Sequence, residues 1–561
     1  MSDGDTAEPP LGARVALVAV VLMPIVVAVV RAVRNDWFPI GDSALLALRA
    51  NDVLTEHHPL LGSWTSASLS LGRDVNNPGP LYQDLVAVVS RPLGFPSATA
   101  IGVGLVNGLS VIGVSAAARS AGGWPLQRWC LLAAALLTWI LGSELLIDIW
   151  QPHALLLPSL LLVVTCAGLA RGRSRLLPLA AFVASLLVQT HISYVFVLVA
   201  LAVATAVAAL AGGAVVRPPW RLGAATVALV ALLWAQPAWE QLTGPDEGNL
   251  TRLASSASGG SVQLGVRDGV RFTARILGQG PWGLRDGFAS LVPATRVSGG
   301  QLRFDGVLGA APAVAVVGLL VVVLGGSAIA LRRRRAALAG LATIGAVMVA
   351  TAPFCLALVT VGPVGFAPHH VRWLWPLGVL VGTVVVAGIV ELLAARAATV
   401  VAVGLTALTS VAAVPFLAQP QGPVADSWAV PIIDRARDDL GRLAELEPVR
   451  YDTSNLRIFE PYSSSVMARL QELEIEFRVG DPSLVRQLGD TRRADGDERA
   501  RVFQLEGQDA LAYAGDACLI TRVRRGDRAF ALFAETDRPC PDRHRPGLRR
   551  SASPRGTPLP R

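Results

Sequence analysis

The chain has 561 residues, 52% of them hydrophobic and 16% charged, with a mean hydropathy of +0.50. A soluble protein of this length must cover its surface with more charge, so the composition excludes one and indicates a chain that crosses a bilayer many times. Net charge is +8, but all 49 basic residues are arginine, which fits a GC-rich coding sequence better than a nucleic-acid surface. No nucleic-acid partner is expected, and the arginines are informative through their positions.

Apolar stretches long enough to cross a bilayer run over about 13–33, 97–118, 128–147, 152–170, 176–190, 194–212, 221–239, 307–331, 337–361, 373–393 and 398–417, about eleven transmembrane helices. With residues 1–12 cytoplasmic, Arg119 and Arg128, Arg171, Arg173 and Arg175, Arg217 and Arg221, Arg332 to Arg335, and Arg396 all fall on the cytoplasmic side, as the positive-inside rule requires. An odd number of spans puts everything after 417 outside. Residues 1–34 read poorly as a cleaved signal peptide, because Met1 to Pro10 is acidic and no small-residue cleavage site follows. The transmembrane domain is expected over 13–417, with a first outside loop at 35–96 and a long outside loop at 240–306.

After residue 417 charge becomes common. Val449 to Asp452 and Ala529 to Phe533 read as strands, Trp428 to Glu445 and Ser463 to Leu473 as helices, giving a small exoplasmic α+β domain over 418–540. Residues 541–561, rich in Arg, Pro and Ser, read as a disordered tail. Cys130, Cys166 and Cys355 fall in apolar spans as small hydrophobes. Cys518 and Cys540 lie in the outside domain, where they either pair or remain free thiols. No cysteine spacing suggests zinc.

Several polar groups stand where polarity is costly. Asp42, in Gly41-Asp42-Ser43 about nine residues beyond the first span, reads either as a helix N-cap ahead of Ala44 to Leu48 or as a carboxylate that takes the proton of an attacking hydroxyl. Asp148, Trp150, Gln151, Pro152 and His153 lie in the turn between the third and fourth spans, and Gln189, His191 and Tyr194 between the fifth and sixth. Glu144 and Asp148, four apart, share a helix face. Polar residues at membrane depth usually line an interior cavity. The 240–306 loop, Gly- and Ser-rich, carries Arg271, Arg275, Trp282, Arg285 and Asp286, suited to sugars, or is a flexible linker.

The acidic Gly41-Asp42-Ser43, the turn Asn77-Pro78-Gly79-Pro80-Leu81-Tyr82 some thirty-five residues later, and Phe366 to Pro376 (FAPHHVRWLWP) together resemble the GT-C integral-membrane glycosyltransferases over roughly 35–420. Within that superfamily the aminoarabinose, mannosyl and arabinosyl transferases are most similar. The resemblance implies a multi-span α-helical, GT-C-like membrane protein. Its implied activity is an inverting glycosyltransferase, hexosyl or pentosyl, that moves a sugar from a polyprenyl-phosphate donor to a cell-envelope glycan or glycolipid acceptor on the outer face of the plasma membrane. It implies Asp42 as base, Arg372 with His369 and His370 on the donor phosphate, and Asn77, Tyr82, Asp148, Gln151, His153, Gln189, His191, Tyr194 and Trp282 on substrate.

Two departures are visible. Ser43 stands where many members have a second acid, leaving one carboxylate, a poor cage for a divalent metal; no metal ligands are assigned, and a divalent metal stays an open alternative to no cofactor. The turn also lacks its lysine, so phosphate contact must come from elsewhere, and the planar guanidinium of Arg372 suits it, if Arg372 does not merely snorkel. The rival readings are a lipid-linked glycan transporter or flippase, which would put ionisable residues near the bilayer midplane, and an inactive GT-C-like scaffold.

Overall fold

The structure is a computed structural model that describes residues 8–65, 67–214, 217–244, 247–256, 263–286, 295–298, 301–304, 307–361, 366, 368–414, 426–456 and 460–541. The expected tail lies, but for residue 541, outside the described residues. Contacts divide the chain into two compact units, Met1–Trp37 with Pro59–Val424, and Phe38–His58 with Ala425–Arg561.

The first unit is helical. Among the described residues eight helices have the length and hydropathy to cross a membrane. Ser97–Leu145 is 49 residues long, twice a crossing, and breaks at Gly122 and Gly123, where Gly123 takes φ +65° just ahead of Pro125. Trp220–Leu233 and Ala235–Thr243 meet at a 50° bend, the geometry of a broken span or a re-entrant loop, and Ser174–Thr190 is a shorter apolar helix. Among the described residues, counting the long helix as two crossings and the bent pair and the short helix as one each gives eleven. The chain is a multi-pass membrane protein.

The 240–306 stretch is more regular than a flexible linker. It contains the helices Asn249–Ser256, Gly265–Leu277 and Gly280–Asp286 and a hairpin of β1 (Thr295–Ser298) and β2 (Gln301–Phe304). Gly265–Leu277 is amphipathic, burying Phe272, Thr273, Ile276 and Leu277 against the Ala336–Ala357 span. Gly269 lets that span come close, since a Cβ there would meet the Pro353 carbonyl oxygen at 2.3 Å.

At one end of the bundle a carboxylate joins three spans. Glu391, 2% exposed near the end of Leu374–Leu393, pairs with the fully buried Arg128. It also accepts from Arg335 Nε at 2.8 Å and from Trp129 Nε1 at 2.9 Å. Three of the chain ends that the arginine pattern assigns to one side therefore meet at one carboxylate.

The second unit is built on a mixed five-stranded sheet of order β4-β3-β5-β7-β6, with β3 Val449–Asp452, β4 Phe477–Val479, β5 Ala500–Glu506, β6 Cys518–Arg525 and β7 Arg528–Glu535. β3 runs parallel to β4 and β5, while β7 is antiparallel to β5 and β6. β7 buries every residue from Ala529 to Ala534 because it is covered on both faces. Phe503, Ala529, Ala531 and Phe533 pack with Ala510, and the Val430–Leu440 helix packs on β6. Cys518 and Cys540 form a disulfide. The first-loop segment Phe38–His58 belongs to this unit, its Asp42–Asn51 helix packed on Ser463–Glu472.

Removing the carboxylate with Glu391→Leu strands Arg128 in the bundle. We expect a loss of about 3–5 kcal/mol, the scale of breaking a buried ion pair, read as a lower unfolding midpoint in detergent. An unchanged midpoint would mean that the cluster contributes nothing.

Candidate functional site

The polar residues of the first unit collect at the end of the bundle opposite Glu391, around the turn after the long helix. Asp148 Oδ1 accepts the Trp150 backbone N–H at 3.1 Å, an Asx turn that sets Trp150 ahead of the short helix Gln151–Ala154. The other carboxylate oxygen, Oδ2, takes His153 Nδ1–H at 2.7 Å, which fixes the imidazole tautomer. One carboxylate thus orients both the indole and the imidazole.

Trp150 is the hub. It stands edge-on to His153 at 4.8 Å and to His369 at 5.6 Å, and the Arg372 guanidinium carbon lies 5.4 Å from its centroid. His369 and His370 are 4.0 Å apart, His370 stacks on Phe366 at 5.3 Å, and Phe366 meets Phe272 at 4.8 Å. Arg372 is only 1% exposed. Burial pulls its pKa well below the usual arginine range, and Asp148 works in the opposite direction. Burial likewise keeps His369 neutral, helped by His370 and Arg372, and pushes His191 down to about 4. Around neutral pH His369 and His191 are therefore uncharged, and Arg372 supplies the cation.

The Asn77–Tyr82 turn joins the same end. Asn77 Nδ2 donates to the Ser63 carbonyl oxygen and Oγ at 3.2 and 3.1 Å, Asn77 Oδ1 accepts Ile192 N–H at 2.9 Å, and Gln151 Nε2 donates to Ser63 Oγ. Gly79 N–H donates to the Gln189 carbonyl oxygen at 3.2 Å. Any side chain at Gly79 would put its Cβ 2.3 Å from Gln189 Oε1, so this turn needs glycine for close approach. Tyr82 is fully buried, and its phenol pKa is raised by burial and by the charge of Asp148. Tyr194 accepts from Ser159 Oγ at 3.1 Å and lines an apolar cleft with Ser159, Leu187, Met348, Trp373 and Pro376.

Asn77, Tyr82, Asp148, Gln151, His153, Gln189, His191, Tyr194, His369, His370 and Arg372 all lie in this unit. Trp282 falls in the Gly280–Asp286 helix, its side chain outside the described residues. Arg285 lies over Trp139 at 4.3 Å, and Arg271 is tied to Asp268 and the Leu308 carbonyl. Asp42 belongs to the C-terminal unit. It is the first residue of its helix, exposed, and the N-cap position is taken by Gly41 at φ +58°, a conformation that favours glycine. Among the described residues no group of three or more His, Cys, Asp or Glu side chains could hold a metal ion.

One carboxylate escapes the sequence reading. Asp84, on the Leu81–Leu93 helix that the turn starts, accepts from Gln236 Nε2 at 3.0 Å, and burial raises its pKa to about 6. Nothing in the local pattern marks it, because the cause is burial under a helix 152 residues away. The folded protein therefore binds the Asp84 proton more tightly than the unfolded chain, whose carboxyl titrates near about 3.9, and stability falls as pH rises from about 4 to 6. Asp84→Asn should match wild type in melting temperature at pH 4 and exceed it at pH 8. A difference independent of pH would contradict the raised pKa.

No protein-family model matches the chain, and no curated protein matches its sequence. Its structure is similar to ArnT from Cupriavidus metallidurans, solved bound to undecaprenyl phosphate, with a TM-score of 0.53 at 14% identity over 94% of this chain and 98% of that one. The likeness spans both units, and the chain has the ArnT membrane fold with a small C-terminal sheet domain.

Proposed function

We propose that this protein is an inverting glycosyltransferase that takes a sugar from a polyprenyl-phosphate donor and gives it to a cell-envelope glycan or glycolipid on the outer face of the plasma membrane. The observation that carries the reading is Arg372, a guanidinium 1% exposed, held against Trp150 with His369, whose pKa burial lowers, on the same indole. A cation kept out of water favours an anion brought to it, and a lipid phosphate supplies one. ArnT, which has the same fold, was solved with undecaprenyl phosphate.

In the proposed reaction an acceptor hydroxyl oxygen forms a bond to the anomeric carbon as the bond from that carbon to the phosphate oxygen breaks. The hydroxyl proton goes to Asp42, and the departing lipid phosphate keeps the electron pair beside Arg372. The phosphate needs no proton to leave. His369 and His370 complete the phosphate site. Tyr82, Asn77, Asp148, Gln151, His153, Gln189, His191, Tyr194 and Trp282 bind substrate, and the C-terminal domain selects the acceptor.

Incubating the purified protein with a panel of polyprenyl-phosphate sugars should release lipid phosphate with at least one of them; release from none would overturn the reading. With that donor, Asp42→Asn should remove nearly all turnover, leaving a small residual rate, while the protein stays folded, and wild-type turnover would remove Asp42 as base. Arg372→Lys keeps the charge but loses the planar fork, and should weaken donor binding by about 1–3 kcal/mol, the scale of a hydrogen bond to a charged group. An unchanged donor constant and rate would leave Arg372 as a membrane anchor.

The proposed orientation has the N-terminus cytoplasmic and the C-terminal domain outside. A cysteine introduced at exposed Asn455 should then react with an impermeant thiol reagent on intact cells, and one at Arg333 should not. The reverse pattern would invert the topology.

A further inference from the structure

The segment that carries Asp42 is built into the C-terminal unit by an ionic clasp. Three charged side chains are sequestered together: Asp52 at 0%, Arg492 at 2% and Arg49 at 6% exposure. Asp52 Oδ2 accepts Arg49 Nη1 at 3.1 Å and Oδ1 accepts Arg492 Nη2 at 2.8 Å. Arg49 Nη1 also donates to the carbonyl oxygens of His57 at 2.8 Å and Leu488 at 2.5 Å. Arg492 donates to Gln471 Oε1 at 2.6 Å and lies 4.4 Å over the Phe477 ring. His57 Nδ1 meets Thr491 Oγ1 at 2.8 Å, and at the other end of the segment Phe38 lies 3.6 Å under the Arg469 guanidinium.

This is more than attachment requires. The Asp42–Asn51 helix already buries Ala44, Leu46, Ala47, Leu48 and Ala50, and burying three charges is a costly way to add adhesion. What a charge cluster of fixed geometry adds is register, a role best attested where a buried polar group sets the alignment of packed helices. Arg49 lies seven residues, two helical turns, from Asp42 and so on the same face of one short helix, roughly 10 Å along its axis. A rotation or slide of that helix on its support would carry the Asp42 carboxylate with it. A proton acceptor must stay within hydrogen-bond reach of its substrate hydroxyl, and displacement of about 1 Å can cost a hundredfold in rate.

We propose that Asp52 and Arg492 are positioning residues for Asp42: the clasp fixes the register of the Asp42–Asn51 helix within the C-terminal unit, so that this unit governs turnover by holding the base. The inference rests on Asp42 being the base.

The test is a kinetic cycle on the full-length protein in nanodiscs, with turnover read as lipid phosphate released from the active donor of the panel and binding read with polyprenyl phosphate. Arg492→Met leaves Arg49 and Asp52 as a neutral pair. It should lower kcat at least tenfold while the donor KM and the polyprenyl phosphate Kd stay within twofold. Added to Asp42→Asn, the same change should cost less than twofold of the residual rate, because the two residues act through one step. Arg492→Lys should recover part of the loss. A role in folding alone lowers the active fraction by the same factor in both backgrounds, so equal losses would overturn the proposal, as would wild-type kcat in Arg492→Met. If Arg492→Met does not fold, Gln471→Leu leaves the three charges paired and should give the same pattern with at least a threefold loss; no loss overturns the proposal. Wild-type turnover in Asp42→Asn would instead remove the base reading itself, and this inference with it.

Discussion

The burial of Arg372 is the constraint on which the first unit's organisation depends. A guanidinium taken out of water is unstable unless an anion, hydrogen bonds or an aromatic face stand in for the lost solvent. Asp148 and Trp150 do so here, and each is where it is because of the other, since the Asp148 carboxylate closes the turn that presents the indole. The same carboxylate orients His153. The lowered pKa of His369 follows from the same burial: beside a cation in a low dielectric, a protonated imidazole is doubly disfavoured.

The helix Leu374–Leu393 links this layer to a second one. Arg372 precedes it and Glu391 lies near its other end, nineteen residues on, roughly 28 Å at the α-helical rise. That is close to the thickness of a bilayer's hydrocarbon core, about 30 Å. Each layer sets arginine against a carboxylate, Asp148 at one end and Glu391 at the other. Between them the helix is almost wholly apolar and buried against its neighbours. Two polar layers at this spacing fix both the depth and the rotation of the helix, which a uniformly apolar span would leave loosely specified. The Asn77–Tyr82 turn adds hydrogen bonds to the first layer through Ser63, Gln151 and Gln189.

What the sequence made legible was what local pattern controls. Long apolar runs and arginine spacing are enough to find the spans, and the runs of Val449 to Asp452 and Ala529 to Phe533 suffice for two strands of the sheet. The break at Gly122 and Gly123 and the bend at Trp234 blur single spans without changing the count. What pattern could not convey was long-range pairing. Residues 38–58 follow directly on a membrane span, yet they fold with the C-terminal unit because Asp52 meets Arg492, 440 residues away. Asp84 stayed hidden because its raised pKa comes from burial, which outweighs the Gln236 hydrogen bond, rather than from its neighbours in sequence. Asp42 could be read as a cap from its surroundings, but a backbone turn at positive φ gave that position to Gly41. The residues around Arg372 were found by type and sidedness, while Trp150 as their common contact, and Ser63 as the link between turn and cluster, emerged only in three dimensions.

The central claim is that a lipid phosphate lies against the Arg372 guanidinium, and the titration of that phosphate tests it most directly. Phosphorus NMR of polyprenyl phosphate bound to the protein in nanodiscs reports the second ionisation, ordinarily near pH 6 for a phosphate monoester. A buried cation in contact stabilises the dianion, so the account predicts that the bound phosphate titrates about 1–3 pH units lower than the same lipid in empty nanodiscs. A bound phosphate that titrates with the free lipid, or above it, would mean that Arg372 is not its partner.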